Sequence, residues 1–183
     1  MGRPKQLLPL GDRPVVRYCC ESILAAGIGD VAVVVGQERE EIARALHGLA
    51  VTVVKNEDRE SEMADSVRIG LHALPERYTG VLICLSDHPL TSSETLKTII
   101  HRHSEDPRKI LVPVYNGKKG HPTLFPKSAA EEIYSGITLR DIIRRDPGRV
   151  RRIDVSDEGV VLDMDTEADY QDILKKKQMQ TGG

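Results

Sequence analysis

Asp87 occupies a position from which a carboxylate could do chemistry. It lies in VLICLSDHPL, where a continuous apolar run over residues 81–85 predicts a buried strand that ends just before Ser86, Asp87 and His88. In an open parallel sheet, ligands collect beyond the carboxyl ends of the strands, and a carboxylate there could hold Mg²⁺ against a nucleotide phosphate. The alternative interpretation is structural, with Asp87 accepting hydrogen bonds from the backbone of its turn.

Asp163 and Asp165, in LDMDTEADY, form a second pair of carboxylates. Because they are two residues apart, they lie on one face if this segment is extended, and they could complete a metal site. Asp165 or Thr166 could instead cap a following helix, and for an isolated aspartate ahead of a helix this is the commoner role. The two roles are compatible.

Lys5 and His121 are weaker candidates on residue type alone. Lys5 lies in MGRPKQLLPLGDRP, a loop marked by glycine and proline, where its ammonium could act as a point charge on a triphosphate. His121 follows Gly120 and precedes Pro122. Most lysines in loops are solvated surface residues, and a histidine in such a setting is more often a loop residue than a catalyst.

Helices and strands alternate along the chain, and this order predicts the architecture that positions these residues. Helical periodicity covers residues 15–27, 38–47, 62–74, 92–103 and 138–145, and a last helix begins at Thr166. Apolar, β-branched runs predict strands at residues 31–35, 51–54, 81–85, 110–114 and 123–125. Strands that are apolar throughout are typical of a parallel sheet covered by helices on both faces. We therefore predict an α/β fold with three layers and a mostly parallel sheet.

Shorter signals refine these bounds. Thr91 with Glu94, and Thr166 with Asp169, have the spacing of a capping box and predict the starts of two helices. Residues 150–162 predict a hairpin whose turn is the run Ser-Asp-Glu-Gly.

Composition bounds the class of protein. The 183 residues suffice for one domain, predicted at residues 1–174, with a flexible tail at residues 175–183. Lysine and arginine number 26 against 28 acidic residues, and aromatic side chains make up only 3% of the chain, which argues against nucleic acid or a membrane as partner. The 3 cysteines show no zinc spacing, and neither a signal peptide nor a membrane-length apolar run is visible, so we predict a cytoplasmic protein.

Five segments, in this order, resemble the MobA-like nucleotidyltransferase family, and more narrowly the molybdenum cofactor cytidylyltransferases: MGRPK, NEDRESEMADSVRIGL, LSDHPL, GHPTLF and LDMDTEADY. The resemblance implies a three-layer, Rossmann-like nucleotidyltransferase domain. It also implies transfer of CMP from CTP to the terminal phosphate of molybdopterin, with release of pyrophosphate. The GHPTLF and DHP segments resemble the cytidylyl branch more than the guanylyl branch.

The resemblance also implies roles for individual residues. Lys5 would contact the triphosphate, Ser66 would lie near the nucleotide, and His121 would border the acceptor site. Asp87 and Asp165 would bind Mg²⁺ or Mn²⁺, and catalysis would rest on Lys5, Asp87 and the metal, without a protein nucleophile. The implied partners are a nucleoside triphosphate, a phosphorylated pterin, and a molybdoenzyme or its chaperone.

The sequence departs from the family pattern at its start. The family opens with a strand and a glycine-rich loop, of which only Met-Gly-x-x-Lys is present, so we expect the first strand and much of the phosphate-binding nest of N–H groups to be absent. Three alternatives therefore stay open: an enzyme that uses GTP, an enzyme with another acceptor, and a truncated remnant that binds without catalysis.

Overall fold

The structure, a computed structural model, describes residues 4–181. Its α-helices are α1 (Val15–Ala25), α2 (Arg39–Ala45), α3 (Met63–Ala73), α4 (Ser93–Glu105), α5 (Lys127–Ala130), α6 (Leu139–Arg145) and α7 (Glu167–Thr181). Its strands are β1 (Pro9–Leu10), β2 (Arg13–Pro14), β3 (Ala32–Val35), β4 (Thr52–Lys55), β5 (Gly80–Ile83), β6 (Ile110–Tyr115), β7 (Lys118–Lys119), β8 (Thr123–Pro126) and β9 (Val150–Asp154). Short 3-10 helices lie at Lys5–Leu7, Glu131–Ser135, Pro147–Arg149 and Glu158–Val161.

The strands form one main sheet and two small ones. In the main sheet, β5 and β6 are both antiparallel to β8, so they run in the same direction, and β9 is parallel to β6. The strands β3 and β4 make a separate parallel pair, and β1 with β2 makes a short antiparallel pair. The predicted α/β class with a mostly parallel strand direction is confirmed.

Strand β6 explains why the sheet strands are apolar throughout. Ile110 and Val112 belong to a core cluster with Leu71 of α3, whereas Leu111, between them, belongs to another cluster with Ile99 of α4. Successive side chains of a strand point to opposite faces. Both faces of β6 are therefore covered by helices, which gives the predicted three layers.

The predicted hairpin over residues 150–162 is wrong. β9 ends at Asp154, and residues 158–161 form a 3-10 helix instead of a returning strand. The Asp157 carboxylate accepts hydrogen bonds from the backbone N–H of Gly159 at 2.9 Å and of Ser92 at 2.9 Å. It also accepts the Thr95 hydroxyl at 2.7 Å. The residues predicted to form the hairpin turn are thus hydrogen-bonded to the start of α4. These bonds prevent the chain from turning back on itself as a hairpin.

One predicted helix start is displaced and the other is confirmed. Helix α4 is capped by Ser92, whose hydroxyl oxygen accepts from the N–H of Thr95 at 3.2 Å. The Thr91 hydroxyl, predicted as the cap, instead donates to the carbonyl of Gly159 at 3.3 Å. Thr166 and Asp169 form the predicted capping box, with reciprocal bonds of 2.6 and 3.2 Å.

The structure can also be compared with what the sequence predicts for the two chain ends and for membrane spans. Helix α7 continues to Thr181, so it includes most of the segment expected as a tail, and Gly182 and Gly183 lie outside the described residues. Met1, Gly2 and Arg3, which begin the Met-Gly-x-x-Lys segment, also lie outside them. No helix between residues 4 and 181 has both the length and the apolar character needed to cross a bilayer.

Candidate active site

A hydrophobic cluster joins the three segments that carry the candidate charged residues. It links the N-terminal segment, the loop after β5 and the segment before α7. The buried members of the cluster are Leu10, Val15, Leu90, Met164, Tyr170 and Ile173. The Tyr170 hydroxyl also donates to the carbonyl of Pro9 at 2.5 Å. Residues far apart in sequence are therefore held together by one core.

Lys5 and Asp165 meet at this junction. The Lys5 ammonium donates to Oδ1 of Asp165 at 2.8 Å, with the two side chains 36% and 65% exposed. This hydrogen bond raises the pKa of Lys5, and the negative charges of Asp165, Asp87 and Asp163 raise it further against the opposing effect of burial. We call Lys5, Asp87, Asp163 and Asp165 the lysine–carboxylate cluster.

The segment Asp163-Met164-Asp165 shows how a core residue directs two charges. Met164 is fully buried, whereas both aspartates are exposed. This alternation agrees with the predicted placement of the two carboxylates on one face. Since Thr166 caps α7 with Asp169, the Asp165 carboxylate is available to Lys5.

Asp87 lies beyond the end of β5, as the apolar run predicts. Its Oδ1 is buried and has no hydrogen-bond partner among residues 4–181. This oxygen therefore does not bond the turn, contrary to the structural interpretation. Nε2 of His88 lies 3.9 Å from this oxygen, beyond hydrogen-bond distance. A buried carboxylate oxygen without a partner is costly, and a cation would satisfy it.

His121 lies beside the cluster and next to a second histidine. The ring centroids of His88 and His121 are 5.2 Å apart, and the Nδ1 atoms of both rings are buried without a partner in the described part of the chain. Burial lowers the pKa of His121, and His88 lowers it further, whereas Asp87 and Asp163 act in the opposite direction. Both imidazoles therefore present unpaired polar atoms near the carboxylates.

Two glycines allow the loops around His121 to approach closely. A Cβ on Gly120 would lie 2.3 Å from the carbonyl oxygen of Val160, and a Cβ on Gly159 would lie 2.3 Å from that of Leu90. The N–H of His121 donates to the same Val160 carbonyl at 2.7 Å. No side chain fits at either contact, so glycine is required where the loop of His121 meets the 3-10 helix at 158–161 and where that helix meets Leu90.

Ser66 lies in a different polar group. It is on α3, and its hydroxyl accepts from Nδ2 of Asn56 at 3.2 Å, while the same amide donates to Ser61 at 2.8 Å. Asn56 follows β4 directly and is 5% exposed. We call Asn56, Ser61 and Ser66 the asparagine–serine group. Its hydrogen bonds connect Ser66 with the end of β4, and none within residues 4–181 joins it to the lysine–carboxylate cluster.

The sequence prediction missed Asn56 and His88. Asn56 is the polar residue directly after an apolar strand, which is the signal that identified Asp87. His88 is adjacent to Asp87 but carried no assigned role, because burial of its ring, 8% exposed, cannot be read from a loop sequence.

The cavity beside the histidines is too small for a nucleotide. Its volume is about 20 Å³, and Cys19, Cys84, His88 and His121 lie in its wall. That is room for about one water molecule. Burial raises the pKa of Cys84 to about 12 and that of Cys19 still more. These thiols are protonated at neutral pH and are poor nucleophiles.

The carboxylates suit a metal that is shared with a substrate. Residues 4–181 contain no group of three or more histidine, cysteine or acidic side chains arranged to hold a metal. Mg²⁺ typically takes one or two carboxylates together with substrate phosphates and water. Asp87, with its unpartnered Oδ1, and the exposed Asp165 fit that second arrangement.

The fold and this site define a nucleotidyltransferase. Residues 1–150 match the MobA-like NTP transferase domain, so the chain belongs to that family, as the sequence resemblance predicts.

Three known proteins show the range of similarity. Nicotine blue oxidoreductase from Paenarthrobacter nicotinovorans is 28% identical over 178 residues, which cover 91% of this chain and 86% of the relative. The crystal structure of Rv0371c from Mycobacterium tuberculosis H37Rv, in complex with manganese, is 30% identical with a TM-score of 0.78, covering 95% of this chain and 93% of that one. CMP:2-keto-3-deoxy-manno-octonic acid synthetase complexed with CTP is 13% identical with a TM-score of 0.78, over 96% and 92% of the two chains, and shows the fold alone.

Proposed function

We propose that this nucleotidyltransferase transfers CMP from CTP to the terminal phosphate of molybdopterin, as its molybdenum cofactor, and releases pyrophosphate. The observation that carries the proposal is the ion pair of Lys5 with Asp165 inside the lysine–carboxylate cluster. The cluster brings together one ammonium and carboxylates of the kind that a metal–triphosphate complex requires. The choice of CTP and of the pterin is supported by the GHPTLF and DHP segments.

Asp87 and Asp165 are the residues that would hold Mg²⁺ or Mn²⁺. When bound, the metal supplies charge neutralisation at the phosphate that is attacked. Manganese is bound in Rv0371c, which supports a divalent ion here. The buried, unpartnered Oδ1 of Asp87 supports its role as a ligand, and the exposure of Asp165 keeps its carboxylate accessible.

The protein's own residues would act by position and charge. Lys5 would bind the triphosphate and offset the charge that develops on pyrophosphate as it leaves. The acceptor phosphate would attack the α-phosphate directly and displace pyrophosphate, and the protonated thiols of Cys19 and Cys84 are poor nucleophiles. The catalytic residues in this proposal are Lys5 and Asp87.

His121 would border the acceptor site, and Ser66 would lie near the nucleotide. The position of His121 beside His88 and within the electrostatic reach of Asp87 and Asp163 supports a place at the border of the acceptor site. Ser66 belongs to the preformed asparagine–serine group, which supports a place near the nucleotide. A molybdoenzyme or its chaperone would receive the product. A cytoplasmic location is part of the proposal and is supported by the free Cys19, Cys20 and Cys84.

Pyrophosphate release with matched substrates tests the proposal. The protein is incubated with Mg²⁺ and either CTP or GTP, in separate arms with molybdenum cofactor or another phosphorylated acceptor. The nucleotide-bearing product is identified by mass spectrometry, and nucleotide binding is measured by calorimetry. We expect turnover with CTP. Turnover only with GTP, or only with another phosphorylated acceptor, would replace the substrate assignment and keep the enzyme class. Nucleotide binding without turnover in any arm would indicate a binding remnant.

A redox reaction is the second candidate, because the relative named nicotine blue oxidoreductase aligns over 91% of this chain. The Asp165→Asn variant distinguishes the two, with Asp172→Asn as control, since Asp172 is also an exposed aspartate bonded to a lysine, Lys175, at 3.3 Å. Pyrophosphate release should fall only in Asp165→Asn. Reduction of the acceptor by an added hydride donor, or its oxidation by an added hydride acceptor, without pyrophosphate release would favour the redox candidate.

A further inference from the structure

We propose that Lys5 occupies the metal-binding carboxylate of Asp165 until nucleotide binds, and that transfer of Lys5 from Asp165 to the triphosphate couples nucleotide binding to metal binding. The inference rests on the proposed function, because it takes Asp165 as a metal ligand and Lys5 as a phosphate contact. It adds an order to the assembly of the site.

The first observation is competition for one oxygen. The Lys5 ammonium lies 2.8 Å from Oδ1 of Asp165. A divalent cation bound at about 2.0 to 2.1 Å on the same oxygen would lie close to the ammonium, because both would share one carboxylate. A second cation would also be repelled by the ammonium at this short range. Lys5 and the metal therefore compete for Asp165.

The second observation is the charge around Lys5. Asp87, Asp163 and Asp165 all raise the pKa of Lys5 through their negative charges. The ammonium in turn cancels part of the negative potential that attracts a divalent ion. While Lys5 stays on Asp165, the carboxylates attract metal less strongly than they would alone.

The third observation is that Lys5 can move while its backbone stays in place. Its carbonyl accepts from the N–H of Leu8 at 3.2 Å, and the N–H of Leu7 donates to Pro4 at 3.0 Å. Leu8 packs against the same core cluster as Met164. The side chains of Lys5 and Asp165 are 36% and 65% exposed, and ion pairs this exposed are weak. The flexible lysine stem can thus exchange a carboxylate for a phosphate.

These observations predict cooperativity with a definite sign. A triphosphate that attracts Lys5 frees Asp165, so nucleotide increases the affinity for metal. By thermodynamic linkage, metal must increase the affinity for nucleotide by the same factor. Lys5 is then the residue that carries the coupling, in addition to its contact with phosphate.

Mn²⁺ binding to the purified protein, followed by electron paramagnetic resonance of free Mn²⁺, tests the exchange without any turnover. The variants are Lys5→Met, which removes the charge and keeps the length, and Asp165→Asn. Lys97→Met is the control, because Lys97 is an exposed lysine bonded to Glu94 at 2.6 Å on α4. Each protein is titrated alone and with a CTP analogue that has a methylene bridge between its α- and β-phosphates. The Mn²⁺ that the analogue binds without protein is measured separately and subtracted, because phosphates bind divalent ions in solution.

We expect Lys5→Met to bind Mn²⁺ alone more tightly than the unmodified protein, by up to about fivefold, the factor for an exposed ion pair. The CTP analogue should tighten Mn²⁺ binding in the unmodified protein and in Lys97→Met, and this effect should be largely lost in Lys5→Met. Asp165→Asn should bind Mn²⁺ more weakly.

Two contrary results are distinguishable. If Asp165→Asn weakens Mn²⁺ binding but Lys5→Met leaves it unchanged or weaker, the exchange is refuted and the proposed metal ligand stands. If Asp165→Asn binds Mn²⁺ as well as the unmodified protein, or if no variant binds Mn²⁺ with or without the analogue, the metal assignment fails and the exchange fails with it.

Discussion

The lysine–carboxylate cluster and the asparagine–serine group are both polar, but they are built in opposite ways. Lys5 and Asp165 are 160 residues apart, charged and exposed. Asn56 bonds hydroxyls only 5 and 10 residues away, is neutral, and is 5% exposed. Exposed charges can exchange partners at little cost. A buried amide left unpaired costs about 1 to 3 kcal/mol and therefore keeps its partners. The first region can rearrange on binding, whereas the second is preformed.

Asp87→Ala should have the largest effect on activity and little effect on stability. Loss of even an outer-shell partner of a metal costs about 10- to 100-fold, so loss of a ligand should lower CTP turnover by more than about 100-fold. Removing the unpartnered Oδ1 should leave the melting temperature unchanged or slightly higher. Pyrophosphate release and thermal melting measure the two effects. A large drop in melting temperature with normal turnover would make Asp87 a structural residue.

Gly159→Ala should mainly affect stability. Its Cβ would meet the Leu90 carbonyl oxygen at 2.3 Å, and overpacking of this kind costs about 1 to 3 kcal/mol. The melting temperature should fall by about 2 to 4 °C for each kcal/mol. Gly29→Ala is the control, because a Cβ there meets nothing within 4 Å. Equal melting temperatures for the two variants would show that the loop contact is not needed.

Ser66→Ala should have a smaller effect, confined to nucleotide binding. Asn56 keeps its bond to Ser61 at 2.8 Å, so the group stays largely paired. One neutral hydrogen bond is worth about 0.5 to 1.5 kcal/mol, so KM for CTP should rise by less than about tenfold with kcat unchanged. Steady-state kinetics at saturating acceptor measure both constants. A fall in kcat comparable to that of Asp87→Ala would place Ser66 in the reacting centre.

The smallest effect concerns two histidines. Burial lowers the pKa of both His103 and His121. The charge of Asp87 raises the pKa of His121 but does not act on that of His103. Asp87→Ala should therefore lower the pKa of His121 further and leave that of His103 unchanged, as NMR titration would measure.

The lowered pKa values of His103 and His121 also determine how the free energy of unfolding depends on pH. Because they lie below the unfolded value of about 6.5, the folded state favours neutral rings. The unfolding free energy should then decrease as the pH falls through about 6.5. A constant His121 pKa in Asp87→Ala would show that the two groups do not interact.

Sequence predicts most of the fold because its signals are local. The apolar run before Asp87 defines a strand and its end, and Thr166 with Asp169 defines a helix start. The failures involve distant partners. Asp157 is bound to residues 62 and 65 positions away, so a four-residue turn signal could not reveal its role.

In the candidate site too, the features that depend on local spacing are predictable from the sequence, and those that depend on distant partners are not. The proximity of Asp163 and Asp165 follows from their spacing. The ion pair of Lys5 with Asp165 depends on a core that includes Leu10, Leu90 and Met164, which no short motif describes. The link between Ser66 and Asn56 depends on the packing of α3 against the end of β4, which the sequence pattern alone does not specify.

If His121 borders the acceptor site, as we propose, the glycine contacts around it have a consequence for engineering acceptor choice. The GHP segment meets the 3-10 helix at Val160, and that helix meets the loop after Asp87 at Leu90. Transplanting the GHP segment alone from a homologue would set a foreign loop against two backbones shaped for the native one. The three segments that make these contacts are residues 87–91, 120–122 and 157–161. We expect acceptor specificity to transfer only when all three are exchanged together.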